Sequence, residues 1–314
     1  MTDYGLFAIG GEVPFMIYDA AQERVRVLSG IGRAPLSTEA IEWYYANGIP
    51  DEGSYLAMPV PGALHLCITA LELFGTRSFA QAVAPTLELL DAGSEGWHPP
   101  LAVTLRKMVQ AEMRAAGSRE RKLHAARDRF HTGDIADDLV AWYQSKGSFL
   151  GKDDLAAHET TVEDPVSIRY RGYEVCKCNT WTQGPVLCQT LRLLEGRGLS
   201  DLGHLSADYI HTVTEAMKLA YADRDTYYAD PDFADVPLRQ LLSDEYTALR
   251  AELITRTASM ERRPGDPIRM RAILGEGDAR DNPVRTRRTA MLRSPARATS
   301  CPSRKYRKPR ALSA

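Results

Sequence analysis

Val166-Ser-Ile-Arg-Tyr170, Arg171-Gly172, Tyr173-Glu-Val-Cys176 and then Asn179-Thr-Trp-Thr-Gln-Gly-Pro185 open the stretch, ending at Phe233, on which the fold turns. Its first part reads as a hairpin, two short runs around a turn at Arg171-Gly172. An apolar helix follows from Val186 to Glu195 and stops at Gly196 and Gly198. Pro185 suits the first helical position. Val186, Thr190 and Leu193 share one face while Leu187, Leu191 and Leu194 share the next, a width that implies burial on most sides. A second helix resumes near Leu202 and runs through Glu215-Ala-Met-Lys-Leu-Ala-Tyr-Ala-Asp-Arg224. Ser206 is its expected N-cap, with Ile210, Val213, Met217 and Ala220 as the buried stripe. Asp208, His211 and Glu215 then form the polar face.

That trio has helical i, i+3, i+7 spacing, but one helix alone cannot enclose an ion, so it reads as a solvated face with local pairing. Asp223, Asp225, Asp230, Asp232 and Asp235 lack the glycine and glutamate of a calcium loop; with Pro231 and Pro237 they read as the end of the helix. No metal ligand is assigned and no cofactor is expected. The cysteines Cys67, Cys176, Cys178, Cys188 and Cys301 number five, an odd count without paired spacing. They read as free thiols, buried or partly buried.

The chain has 314 residues, 44% hydrophobic, enough for a substantial core. With 39 basic and 41 acidic residues the net charge is -2, which gives no electrostatic signature for nucleic acid. The charge is uneven, however. From Arg280 onward the basic residues face only Asp281, so the acidic excess belongs to the body. No apolar run approaches the ~20 residues that span a bilayer, and no signal peptide is visible. As written the chain reads as soluble.

Upstream of the organising stretch, Arg24-Val-Arg-Val-Leu28 alternates, and with Phe15-Met-Ile-Tyr18 it predicts antiparallel strands at the start of the chain. Helices are expected at Glu39–Ala46, Leu64–Phe74 and Leu101–Ala116. Gly117 to Arg129, dense in charges of both signs, is expected as a solvated helical arm or loop. Gly30-Ile-Gly-Arg-Ala-Pro35 lacks the third glycine of a nucleotide loop, and Pro35 blocks immediate helix entry.

Taken in order, Tyr170-Arg-Gly-Tyr173, Leu193-Leu-Glu-Gly196, Glu215 to Arg224 and Asp230-Pro-Asp-Phe233 resemble the large subunit of the γ-glutamyltranspeptidase family. So do Val60-Pro-Gly62, Phe74-Gly75, Leu87 to Gly93, Phe130-His-Thr-Gly133 and Leu150 to Ala156. At the start, Glu12-Val13-Pro14 replaces the family's continued glycines. The resemblance implies an α+β, helix-rich fold, part of the four-layered αββα sandwich of the N-terminal nucleophile hydrolases and incomplete without the small subunit.

It also implies γ-glutamyl amide transfer or hydrolysis, with glutathione as the usual donor, through a threonine freed by self-cleavage at the head of the small subunit. No such threonine step is found: Thr160-Thr161 lies upstream of the organising stretch, and Thr289 leads into Ala290-Met-Leu-Arg293. No catalytic residue is therefore assigned. The family's substrate-carboxylate arginine stands in Arg-Glu-Thr-Ala-Pro, which places it at Ile31 here. This chain offers Arg33 instead, which either takes over that role or is a surface arginine.

Residues 1–270 are expected as the large-subunit region, lacking the family's extreme N-terminus, and 271–314 as a basic tail. That tail is either disordered or the product of a changed reading frame, the second favoured because the resemblance fades there. Two alternatives accompany the main reading. One is a related acylase acting on another amide; the other is a non-catalytic interaction protein.

Overall fold

The computed structural model describes residues 9–50, 53–93 and 99–275. Cys301, Thr289 and almost all of the basic tail, each read above from sequence, lie outside them. The chain divides into two compact units, Met1–Glu163 and Asp164–Ala314.

In the first unit, β1 (Val13–Asp19) and β2 (Arg24–Gly30) pair antiparallel from Val13↔Gly30 to Asp19↔Arg24. The short β3 (Thr161–Glu163) adds to the other side of β2, opposite Val27 to Ser29. Val27 and Leu28 are fully buried, as a central strand between two partners requires.

The same unit holds α1 (Thr38–Asn47), α2 (Ala63–Phe74), which packs on the sheet, α3 (Phe79–Asp91), α4 (Pro99–Arg114), α5 (Arg119–His131), α6 (Asp134–Ser145) and the single-turn α7 (Lys152–Ala156). Their main core joins Leu64, Ile68, Phe79, Leu105, Met108, Leu123, Phe130 and Ile135. Serines set several helix starts: Ser37, Ser78 and Ser118 each accept a first-turn amide, and Gln81 completes a capping box with Ser78. Side chains distant in sequence hold other ends. The buried Glu112 carboxylate accepts from the Phe79 and Ala80 amides at 2.7 and 2.8 Å, satisfying the start of α3. Arg119 donates to the Leu71 and Glu72 carbonyls at the end of α2.

Helix α5 corrects the expectation for Gly117–Arg129. Leu123, Ala126 and Phe130 are buried at i, i+3 and i+7, so a narrow apolar stripe carries the segment into the core. The surrounding charges hid that period.

In the second unit, β4 (Val166–Tyr170) and β5 (Tyr173–Lys177) form the expected hairpin. Arg171 and Gly172 both take positive φ, 47° and 86°, the turn geometry that matches the twist of paired strands. Helices α8 (Gly184–Leu194) and α9 (Ala207–Tyr227) follow, Ser206 capping α9 by accepting the Tyr209 amide at 3.1 Å. After them come α10 (Leu238–Leu241) and α11 (Asp244–Ala251).

The buried face of α9 is only partly the expected one: Ala220 is buried and Val213 packs against the core, but the other two positions are not. Ala216, Leu219, Ala220, Ala222 and Tyr227 are buried, whereas Ile210 and Met217 are 51% and 42% exposed. Glu215 and Asp223 turn inward, each 1% exposed. Glu215 meets Lys218 and, at 2.8 Å, Arg263; Asp223 meets Arg250 at 3.1 Å, Tyr246 Oη and Gln189 at 3.0 Å and the Gly265 amide at 2.8 Å. Ion pairs from downstream segments thus reverse the apolar-in, polar-out reading. Asp223 braces α9 rather than ending it.

Cys178 and Cys188 are buried, Cys176 half-buried and Cys67 exposed; all four are free thiols. Among the described residues no helix is long and apolar enough to cross a membrane.

Candidate functional site

β2 ends at Gly30, and the chain then runs without regular secondary structure past Val60–Gly62 before α1 begins. The approach is too close for side chains on the inner side. A Cβ on Gly32 would stand 1.8 Å from the Val60 carbonyl oxygen, and one on Gly62 would stand 2.4 Å from the Gly30 carbonyl oxygen. Glycine is therefore required at both positions.

The segment from Ile31 to Leu36 is pinned along its length. Glu12 Oε1 accepts the Gly32 amide at 2.7 Å, and the Arg33 carbonyl accepts the Val60 amide at 3.0 Å. Pro35 is buried. The buried Asp154 carboxylate then accepts the Leu36 amide through one oxygen and the Gly151 amide through the other, both at 2.7 Å. Although Glu12 is an exposed residue overall, its carboxyl tip lies against this loop. Partial burial there lifts its pKa, and the Gly32 N–H pulls it back.

Arg33 stands out on this segment because its side chain is exposed and, among the described residues, enters no hydrogen bond or ion pair. Its backbone is fixed while its guanidinium is free, the state suited to capturing a carboxylate with its planar fork. Ile31, where the family arginine was expected, is half-buried and cannot serve.

Three buried histidines lie in the same unit. His65, His131 and His158 pack with ring centroids 5.2 to 5.9 Å apart. Burial first, then neighbouring cations, drives their pKa down, to about 2 for His65 and about 4 for the other two. For His158 the neighbouring cation is Arg33. His65 Nδ1 lies 2.8 Å from Thr160 Oγ1, the spacing of a nucleophile and its base. With a pKa near 2, however, His65 is far too weak a base to activate a hydroxyl at neutral pH.

The sequence-derived trio does not gather. His211 Nε2 contacts the Thr255 carbonyl at 2.7 Å while Glu215 is buried in its ion pairs. Among the described residues, no group of three or more His, Cys, Asp or Glu side chains is set to hold a metal ion. Asp154 and Glu12, which shape the Arg33 loop, were not singled out from sequence as site residues. The available signal was the carboxylate in the Lys152-Asp-Asp-Leu155 run and the glutamate directly after Gly10-Gly11.

The Gamma-glutamyltranspeptidase family model matches residues 2–98 and 89–286. The chain belongs to the gamma-glutamyltranspeptidase family. A glutathione hydrolase proenzyme of Pseudomonas sp. (strain A14) is 31% identical over 286 residues, which make up 81% of this chain and 50% of that protein. The acylase ACY 1 proenzyme of Pseudomonas sp. (strain SE83) is 32% identical over 223 residues, 63% of this chain and 40% of that one. Among solved structures, the gamma-glutamyltranspeptidase of Helicobacter pylori superposes with a TM-score of 0.65 at 25% identity, over 80% of this chain and 81% of that one. The helix-rich α+β fold is that of the N-terminal nucleophile hydrolases of this family. The chain spans about half the length of the curated glutathione hydrolase relatives it matches, 50% and 51% for two of them.

Proposed function

We propose that this gamma-glutamyltranspeptidase family chain is the large-subunit portion, residues 1–270, of an enzyme that transfers or hydrolyses γ-glutamyl amides such as glutathione. Arg33 pairs with the donor's α-carboxylate, and a second polypeptide portion supplies the nucleophilic threonine. The observation that carries this reading is the pinned Gly30–Leu36 segment with its free guanidinium, in a chain whose relatives include proteins named glutathione hydrolase. The match to half the length of those relatives supports the two-part assembly.

A second reading has its own support. Ile31 occupies the expected arginine position, and the ACY 1 relative is named an acylase. An acylase acting on an amide without an α-carboxylate has no need of a carboxylate clamp.

The test is to supply the catalytic portion and compare Arg33→Ala and Arg33→Lys with the parent on γ-glutamyl and non-γ-glutamyl amides. Arg33→Ala is expected to cost about 2 kcal/mol of donor binding, within the range for a charge-assisted hydrogen-bond pair. Lysine keeps the charge but loses the fork, so it should recover only part. Equal losses on both substrate classes, or none on either, would favour the acylase.

A further inference from the structure

The chain departs from its family's pattern at two places near the N-terminus. Glu12 follows Gly10-Gly11 where the resemblance implies further glycines, and the arginine it places at position 31 stands at 33. In the sequence these are separate oddities, far apart along the chain. In the fold they meet, because Glu12 lies just ahead of β1 and Gly32 just beyond β2, and the hairpin brings both to the same end. The Val13↔Gly30 pairing places Glu12 across from the start of the loop, and its Oε1 accepts the Gly32 amide at 2.7 Å.

A glycine at position 12 offers no side-chain acceptor. Gly32 in turn cannot carry a side chain of its own, since Val60 fills that space. The N–H of Gly32, in the Ile31–Gly32 peptide, is thus held by Glu12, and the carbonyl of Arg33 itself by the Val60 N–H, at 2.7 and 3.0 Å. A shift of two residues along extended chain returns the side chain to the same face but moves its root by about 7 Å. The segment must therefore be set anew for Arg33 to present its guanidinium.

We propose that Glu12 is a positioning residue for Arg33, its carboxylate fixing the Gly32 peptide so that the relocated arginine meets an anionic, carboxylate-bearing ligand. The inference rests on the reading of Arg33 as the carboxylate clamp, and its occupant is an α-amino acid carboxylate.

The full 314-residue chain serves for the test, with amide exchange at Gly32 and titration by L-glutamate as two independent readouts. Glu12→Ala should speed Gly32 exchange about tenfold and weaken L-glutamate binding about tenfold. Glu12→Gln, which keeps a carbonyl acceptor, should recover most of both. Unchanged Gly32 exchange in Glu12→Ala overturns the positioning role. Faster exchange with unchanged L-glutamate binding, in a chain where Arg33→Ala weakens that binding, overturns the link between the two residues. No effect of Arg33→Ala on L-glutamate binding overturns the clamp, and the positioning role with it, while the exchange data still report whether Glu12 holds the loop.

Discussion

The three buried histidines are the clearest case of single residues whose chemistry sets a measurable property. Neither ring nitrogen of His131 or His158 meets a partner in hydrogen-bonding geometry, and the charges facing the cluster are Arg127, Arg33, His124 and, opposing them, Asp128. A proton on these rings is therefore poorly solvated and mostly repelled. An unfolded chain takes up each proton near pH 6.5, whereas His131 and His158 in the fold wait until about 4 and His65 until about 2. Between those values the unfolded chain holds more protons. Stability present above pH 6.5 is therefore lost as pH falls toward 4, by up to about 1.4 kcal/mol per ring per pH unit. Denaturant titrations of the chain across pH 7 to 4 should show this slope, and His158→Leu should reduce it. An unaltered slope in both His158→Leu and His131→Leu would place the acid sensitivity elsewhere.

At the scale of elements, the sequence disclosed most where local rules decide. The β4–β5 turn was legible because Arg171-Gly172 fits a two-residue turn, and the start of α9 because Ser206 is a good cap. The face of α9 was only partly legible. Periodicity assigned Ile210 and Met217 to the core and Glu215 to solvent, but Arg263 and Arg250 arrive from downstream and draw Glu215 and Asp223 inward. The α5 stripe was hidden for a related reason, since Leu123, Ala126 and Phe130 are outnumbered by charges that point away. On the segment that carries the proposed Arg33 clamp, the anchors Glu12 and Asp154 act across 20 and 118 residues. No local pattern encodes such contacts. The α9 arrangement carries a prediction of its own. Asp223→Ala leaves Arg250, 1% exposed, without its carboxylate and strips Tyr246, Gln189 and Gly265 of an acceptor. Removing one partner of such a buried pair should destabilise the second unit by about 3–5 kcal/mol. A denaturation midpoint within error of the parent would show that the pair contributes little.

For the whole molecule, the governing fact is that the chain matches about half the length of its glutathione hydrolase relatives, 50% for the Pseudomonas protein. Acyl transfer through an N-terminal threonine needs that threonine's hydroxyl, its freed α-amine as base and donors for the developing oxyanion. The described residues offer Thr160 beside His65, but a base with a pKa near 2 takes no proton from a hydroxyl at pH 7. Arg33, in its proposed role as carboxylate clamp, would do no proton transfer. The 314-residue chain alone is therefore expected to turn over no γ-glutamyl anilide, and Thr160→Ala should change nothing in that assay. Supplying the second portion should bring turnover, sensitive to Arg33→Ala and still indifferent to Thr160→Ala. Turnover by the isolated chain, or a mass-detected cleavage before Thr289, would show instead that the chain holds a nucleophile of its own. Activity lost in Thr160→Ala would identify it as the Thr160 hydroxyl.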